Sequence, residues 1–92
     1  MKNPILTAAA GATIHGVSIT GDDIALERAI VVLAGLSDME EQRGHHEAAK
    51  CWANAMQRAI KQRRPEIMRA WEECEREWLD DGIDFFQTRA RA

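Results

Sequence analysis

The stretch GHHEAAKC, residues 44–51, gathers four side chains that could bind a metal or transfer protons: His45, His46, Glu47 and Cys51. A structural zinc site needs four ligands that converge on one point, and on a helix they are spaced by three or four residues. Successive residues of a helix lie about 100° apart around its axis, so both histidines point away from Cys51. Only Glu47 shares a face with Cys51. We therefore interpret the stretch as the polar flank of a helix, and predict neither a metal site nor a cofactor.

The two cysteines do not suggest a nucleophile. A reactive cysteine needs exposure and a lowered pKa. Cys51 is predicted in mid-helix beside Trp52, and Cys74 lies on an apolar stripe, so both are predicted as small core residues. The chain also lacks G-x-S-x-G, G-x-G-x-x-G, G-K-[ST] and H-E-x-x-H. Paired acids in WEECERE and LDDG are assigned to a solvated helix face. We predict that the protein is not an enzyme.

The composition indicates a folded helical protein. A chain of 92 residues makes one domain, 1–92, and its 46% hydrophobic and 29% charged residues, with little Pro or Gly, are typical of a globular chain. Two cysteines outside a C-x-x-C pair favour a reducing compartment, so we expect the cytoplasm. No apolar run approaches the ~20 residues of a membrane span.

The N-terminal part carries start and stop signals for short elements. NPILTAAAG predicts a short helix over about 4–10, and the β-branched residues that follow predict an extended segment near 12–19. The alternative is that the whole of 1–19 is an irregular arm. Thr20 and Asp23 form a capping box that begins the next helix.

Two longer stripes predict an antiparallel helical hairpin. Ser37 and Glu40 form a second capping box, which predicts a turn at 35–37 and helices at about 38–63 and 65–81. Their apolar residues recur at spacings of four, three and four: Ala48, Trp52, Ala55 and Ala59 on one helix, Ile67, Trp71, Cys74 and Trp78 on the other. Antiparallel packing places the alanines opposite the large side chains. In this register the two cysteines lie too far apart along the helix axes to form a disulfide.

The fold class predicted is therefore all-α: a small bundle built on this hairpin, with one or two N-terminal helices packed on it. Gly82 is predicted to end the second helix, and residues 84–92 form a short helix or a frayed tail. Ala48, Trp52 and Ala55 resemble the second helix of a tetratricopeptide repeat. The resemblance covers about twenty residues, and the preceding helix lacks the Trp, Leu, Gly and Tyr set of the repeat, so we assign no family.

Charge is segregated along the chain. Residues 20–42 carry six acids and one base, residues 43–64 six bases and one acid, and residues 65–84 eight acids and two bases. Such blocks usually mean that neighbouring elements attract one another.

Two charged clusters are candidate binding sites. A basic cluster at the end of the first hairpin helix suits phosphate contacts and gives an alternative function, a nucleic-acid-binding regulator; its members are Arg58, Lys61, Arg63 and Arg64. The overall acidity of the chain makes direct nucleic-acid binding the second choice. An acidic stripe on the second helix suits a basic protein surface, and its members are Glu66, Glu73, Glu77 and Asp80.

The leading hypothesis is a small helical protein that binds another macromolecule, most simply another protein. The aromatic residues exceed what a two-helix seam covers, and they include Phe85 and Phe86 beyond it. The acidic stripe suggests docking on a basic groove of a nucleic-acid enzyme, as small inhibitors from phages and plasmids do. A homodimer that covers the same side chains is a further alternative, and no membrane partner is predicted.

Overall fold

The computed structural model describes the backbone of residues 3–91 and the side chains of residues 3–79. Two short strands, β1 (Thr13–Ile14) and β2 (Val17–Ser18), precede three helices: α1 (Gly21–Gln42), α2 (His46–Ile60) and α3 (Pro65–Arg91). The predicted all-α class is confirmed. Among the described residues, no helix combines the length and the apolar composition that crossing a bilayer requires.

The first described residues form turns, so the helix predicted over 4–10 is wrong. Asn3 does act as a cap, since its Oδ1 accepts hydrogen bonds from the backbone N–H groups of Ile5 (2.9 Å) and Leu6 (3.2 Å). The chain does not continue into a helix, because so short a segment cannot offset the cost of helix nucleation. Its turns instead allow Ile5 to be fully buried in the core.

The extended segment predicted near 12–19 is confirmed as a β-hairpin. Ile14 pairs with Val17 in antiparallel register, and the two connecting residues, His15 and Gly16, have φ values of 49° and 77°. Positive φ at both positions is the signature of the type I′ turn, whose twist matches that of the flanking strands. The hairpin therefore follows from two residues that tolerate left-handed backbone.

The start of α1 was predicted correctly. The hydroxyl of Thr20 accepts from the backbone N–H of Asp23, and the Asp23 carboxylate accepts from that of Thr20. Ile19 and Ile24, which flank this box, both belong to the buried core. The capping box and the packing of these two isoleucines therefore both favour a helix that starts at this position.

The turn predicted at 35–37 is wrong, because α1 continues through it to Gln42. The helix ends instead at Gly44, whose φ of 79° is left-handed. The N–H groups of Gly44 and His45 donate to the carbonyls of Glu41 (3.0 Å) and Glu40 (2.9 Å), the pattern of a Schellman motif. Gly44 thus terminates α1, although the predicted helix at 38–63 ran through it.

The antiparallel hairpin of the structure is made by α1 and α2, so the predicted pairing of 38–63 with 65–81 is wrong. The first two helices pack along their length, whereas the described residues show no comparable packing of α2 on α3. The hydroxyl of Ser37, no longer a cap, donates to the carbonyl of Ala49 across the α1–α2 contact at 2.9 Å. Trp52, predicted on the buried stripe, is 38% exposed. Both cysteines are free thiols, but Cys51 is exposed, so its prediction as a core residue is wrong.

The third helix starts at Pro65 as predicted but does not stop at Gly82 or restart at residue 84, because it is continuous to Arg91. Its first turns pack on the core, which consists of Ile5, Ile19, Ile24 and Ile67, with Trp71 against it. The core therefore joins the N-terminal segment, the start of α1 and the start of α3. Trp71, predicted to face the alanines of the first hairpin helix, packs against this core.

Candidate functional site

Two of the four cations predicted as a binding cluster are engaged within the chain. The guanidinium of Arg63 donates from Nε and NH2 to both carboxylate oxygens of Glu27, at 2.8 and 2.7 Å. Glu27 is 1% exposed, and one of its oxygens also accepts from Nδ2 of Asn3 at 3.1 Å. A buried carboxylate is tolerated when it is paired and hydrogen-bonded in this way. Arg63 therefore neutralises a buried charge on α1.

Arg64 makes the parallel contact one turn earlier on α1. Its Nε and NH2 donate to the carboxylate of Asp23 at 3.0 and 2.7 Å, and NH2 also donates to the carbonyl of Ser18 at 2.9 Å. The hydrogen bond from Arg64, together with those from Thr20, lowers the pKa of Asp23 to about 2 against the opposing effect of burial. The same contact raises the pKa of Arg64.

We call Asp23, Glu27, Arg63 and Arg64 the ion-pair junction. It fastens the start of α1 to the short connection between α2 and α3, and the guanidinium of Arg63 also lies 4.7 Å from the ring centre of Trp71. In residues 3–79 every buried side-chain nitrogen and oxygen has a hydrogen-bond partner. The buried carboxylates of the junction are thus satisfied by Arg63, Arg64 and neighbouring polar groups, which gives the junction a structural role.

The rest of the predicted basic cluster remains on the surface. Arg58 and Lys61 are exposed, and neither forms an ion pair with any residue of the described part. Two exposed cations at a helix end are a weak phosphate-binding surface, because affinity for nucleic acid grows with the number of phosphates neutralised.

The predicted acidic stripe lies on one flank of α3. Glu66 and Glu77 are exposed, and Glu73 is half-buried with Arg76 at 3.0 Å. Glu77 lies 3.4 Å from Nε2 of His15 in the β-hairpin turn. Asp80, Phe85 and Phe86 have side chains outside the described residues, and their assignment stays a prediction.

The apolar stripe of α3 extends beyond the core that covers its beginning. Ile67 is buried and Trp71 is half-buried, but Trp78, on the same face, is 63% exposed. Leu79 beside it is 57% exposed. We call Trp78 and Leu79 the exposed ridge. The apolar stripe in the sequence predicted that the helix would carry such side chains. It did not predict their exposure, because the predicted hairpin packed the helix at 38–63 against this part of the next helix.

Cys74, between these tryptophans, is not an activated thiol. Burial raises its pKa, and the carboxylates of Glu77 and Glu73 raise it further. The thiol therefore stays protonated near neutral pH, where a nucleophile would need to be a thiolate.

The histidines of GHHEAAKC contact carboxylates of the preceding turn. Nδ1 of His45 lies 2.8 Å from Glu40, and Nδ1 of His46 lies 2.8 Å from Glu41. In the side chains described, residues 3–79, no three metal-binding groups converge. Both histidines are exposed and lie beside the Gly44 turn, where they hydrogen-bond to the end of α1.

Two open grooves flank the ion-pair junction and α3. One is lined by His15, Val17, Glu66, Arg69, Ala70 and Glu73. The other is lined by Thr20, Asp22, Asp23, Leu26, Gln62 and Arg64. Both are open to solvent, unlike the enclosed sites that bury most of the surface of a small molecule.

Sequence reasoning missed the roles of Glu27 and Asn3. A signal for Glu27 was present, since Asp23 and Glu27 are one turn apart on an acidic segment and Arg63 and Arg64 end a basic one. The charge blocks predicted attraction between elements without naming the partners. Comparison of the chain with protein-family models, with curated proteins and with solved structures gives no match.

Proposed function

We propose that this chain is a non-enzymatic protein that binds another protein through the exposed ridge of α3. The observation that supports this most is Trp78, which continues the buried stripe of Ile67 and Trp71 but is 63% exposed. Tryptophan buries a large area at little entropic cost and is enriched among the residues that dominate binding energies. A partner that covers Trp78 and Leu79 would complete the stripe.

The charges beside the ridge favour a basic partner. Glu77 is exposed and flanks Trp78 on one side, with Glu73 one turn before it. A complementary surface would offer an apolar pocket rimmed by Lys or Arg, because electrostatic complementarity increases association rates and excludes like-charged partners. Nucleic-acid-processing enzymes carry such basic grooves, so the role proposed is an inhibitor or modulator of one. Two free cysteines are compatible with a cytoplasmic setting.

The alternative, direct nucleic-acid binding, would rest on the two cations that the ion-pair junction leaves exposed. Arg63 and Arg64 are hydrogen-bonded to buried carboxylates, so their use by phosphate would leave Glu27 or Asp23 buried without its cationic partner. This cost favours the protein partner.

Affinity capture from the source cell, with quantification by mass spectrometry, tests the proposal. We expect Trp78→Ala and Glu77→Lys each to lose the same captured protein, while Glu47→Lys on α2, an exposed glutamate with the same charge change, retains it. Circular dichroism establishes that all three variants are folded. Capture that is equal for all three variants contradicts the ridge assignment.

Fluorescence anisotropy with labelled duplex and single-stranded nucleic acid addresses the alternative. If the alternative is correct, affinity falls with salt at a log–log slope near −0.9 for each phosphate neutralised on a duplex, and Arg58→Ala with Lys61→Ala abolishes it. These two positions are the informative ones, because changes at Arg63 or Arg64 also disturb the fold.

A further inference from the structure

The middle of α1 is apolar around more of its circumference than its packing on α2 covers. No charged residue occurs between Arg28 and Asp38. One side packs on α2, where Ser37 donates to Ala49, and Ile30, two turns earlier on that side, is buried. The neighbouring Val31 and Val32 are 54% and 59% exposed. A helix that is apolar around most of its circumference is normally buried on most of it. In a single chain, α1 is buried on one flank and at its first turns only.

The uncovered residues form an ordered second stripe. It consists of Ala25, Ala29, Val32, Leu36 and Met39, spaced by four, three, four and three residues. All are exposed except the half-buried Leu36. At about 100° per residue, this stripe lies about 110° around the axis from the residues that face α2. Each helix of a four-helix bundle contacts two neighbours at roughly a right angle to each other, so the stripe faces the position of a missing second neighbour.

We propose that this second neighbour is α1 of a second copy of the chain, so that two α1–α2 hairpins form a four-helix bundle. The stripe is apolar along its whole length, about 21 Å from Ala25 to Met39, so an identical stripe can cover it.

The charges at the ends of the stripe determine the orientation. A parallel pair places Asp22 beside Asp22 and Arg43 beside Arg43, because both residues continue the stripe, so like charges meet at both ends. An antiparallel pair centred on Val32 places Ala25 opposite Met39, small against large, and brings Arg43 beside Asp22 of the second copy at both ends. Asp22 and Arg43 are both exposed in the single chain. The antiparallel arrangement thus adds two ion pairs and avoids two repulsions.

Mass measurement by light scattering across a range of protein concentrations tests the pairing. The unmodified chain should have twice the 10.3 kDa mass of one chain. Val32→Glu should weaken the dimer by about 100-fold or more, because it buries two carboxylates at the centre of the interface. Val31→Glu is the matched control: the same change at an equally exposed valine, but off the stripe, should leave the dimer intact. A monomeric unmodified chain, or equal effects of both changes, overturns the proposal.

Disulfide trapping tests the orientation on chains that keep the stripe almost unchanged. In a background with Cys51→Ala and Cys74→Ala, chains with Ala25→Cys are mixed with chains with Met39→Cys and oxidised. The antiparallel pair predicts mainly mixed dimers, whereas the parallel pair predicts dimers of each type with itself, and that result refutes the orientation. This interface is independent of the exposed ridge, so Trp78→Ala should leave the mass unchanged even if it abolishes partner capture.

Discussion

Removing Arg63 should reveal how far the fold depends on the ion-pair junction. Arg63→Ala deletes both hydrogen bonds to Glu27, which is 1% exposed, and leaves its charge with Asn3 alone. Breaking a buried pair from one side costs about 3–5 kcal/mol. Loss of the contact with the Trp71 ring adds roughly 0.5–1 kcal/mol. This is a large share of the ~5–14 kcal/mol expected for a chain of this length.

The assay is urea unfolding followed by circular dichroism, at pH 7 and one protein concentration, so that any dimer contributes equally. Arg58→Ala is the matched control, since the exposed Arg58 makes no ion pair with the described residues, and it should change the free energy of unfolding by at most ~0.5 kcal/mol. Adding Glu27→Gln to Arg63→Ala should recover stability, because the buried charge is gone. Equal losses for Arg63→Ala and Arg58→Ala, or no recovery with Glu27→Gln, would refute the reasoning.

Two further predictions concern acid stability and helix ends. The pKa of Asp23 is about 2 in the folded chain against 3.8 for an ordinary aspartate, so its contribution of about 2 kcal/mol is present above pH 4 and is lost as pH falls toward 2. Asp23→Asn should reduce this acid dependence in urea unfolding measured from pH 7 to pH 2, and an unchanged profile would contradict the assignment. Gly44→Ala should destabilise by about 1 kcal/mol because φ is +79°, whereas Gly35→Ala, inside α1, should stabilise by about 0.5–1 kcal/mol. Thermal melts of both variants provide the check, and shifts of the same sign would contradict it.

The features predicted correctly from the sequence are those governed by neighbouring residues. The capping box of Thr20 and Asp23, the helix start at Pro65 and the extended segment near 12–19 each depend on backbone preferences within a few positions. Such preferences act before any tertiary contact and survive in most contexts. The helical class follows from the same local signals.

The helix pairing could not be predicted because it depends on which of two glycines interrupts the chain. Gly35 and Gly44 are both preceded by helical sequence, and Ser37 with Glu40 favours a break after the first. A single interior glycine costs only about 1 kcal/mol, which the packing of α1 on α2 outweighs. Once α1 extends to Gln42, α2 is shorter and has a different neighbour. The position of every later residue relative to the core then changes.

Prediction of the candidate site from the sequence was limited in the same way, because the packing of the helices was not known. Arg63 and Arg64 were correctly identified as clustered cations, but their partners lie 36 and 41 residues earlier in the chain. Charge alone does not distinguish a cation that binds phosphate from one that neutralises a buried carboxylate. The exposure of Trp78 depends in turn on where α3 leaves the core, which is a property of the whole fold.

The position of the core has a consequence for synthesis of the chain. Ile5 packs in one cluster with Ile67, so the principal buried cluster needs residues from nearly opposite ends of the described sequence. The α1–α2 contact, by contrast, joins helices connected by a short turn, and closing a short loop loses less chain entropy. As the polypeptide emerges, we expect this helical pair to form first. Residues 3–19, although they leave the ribosome before α1, can be fixed in place only after the first turns of α3 have followed them out of the exit tunnel.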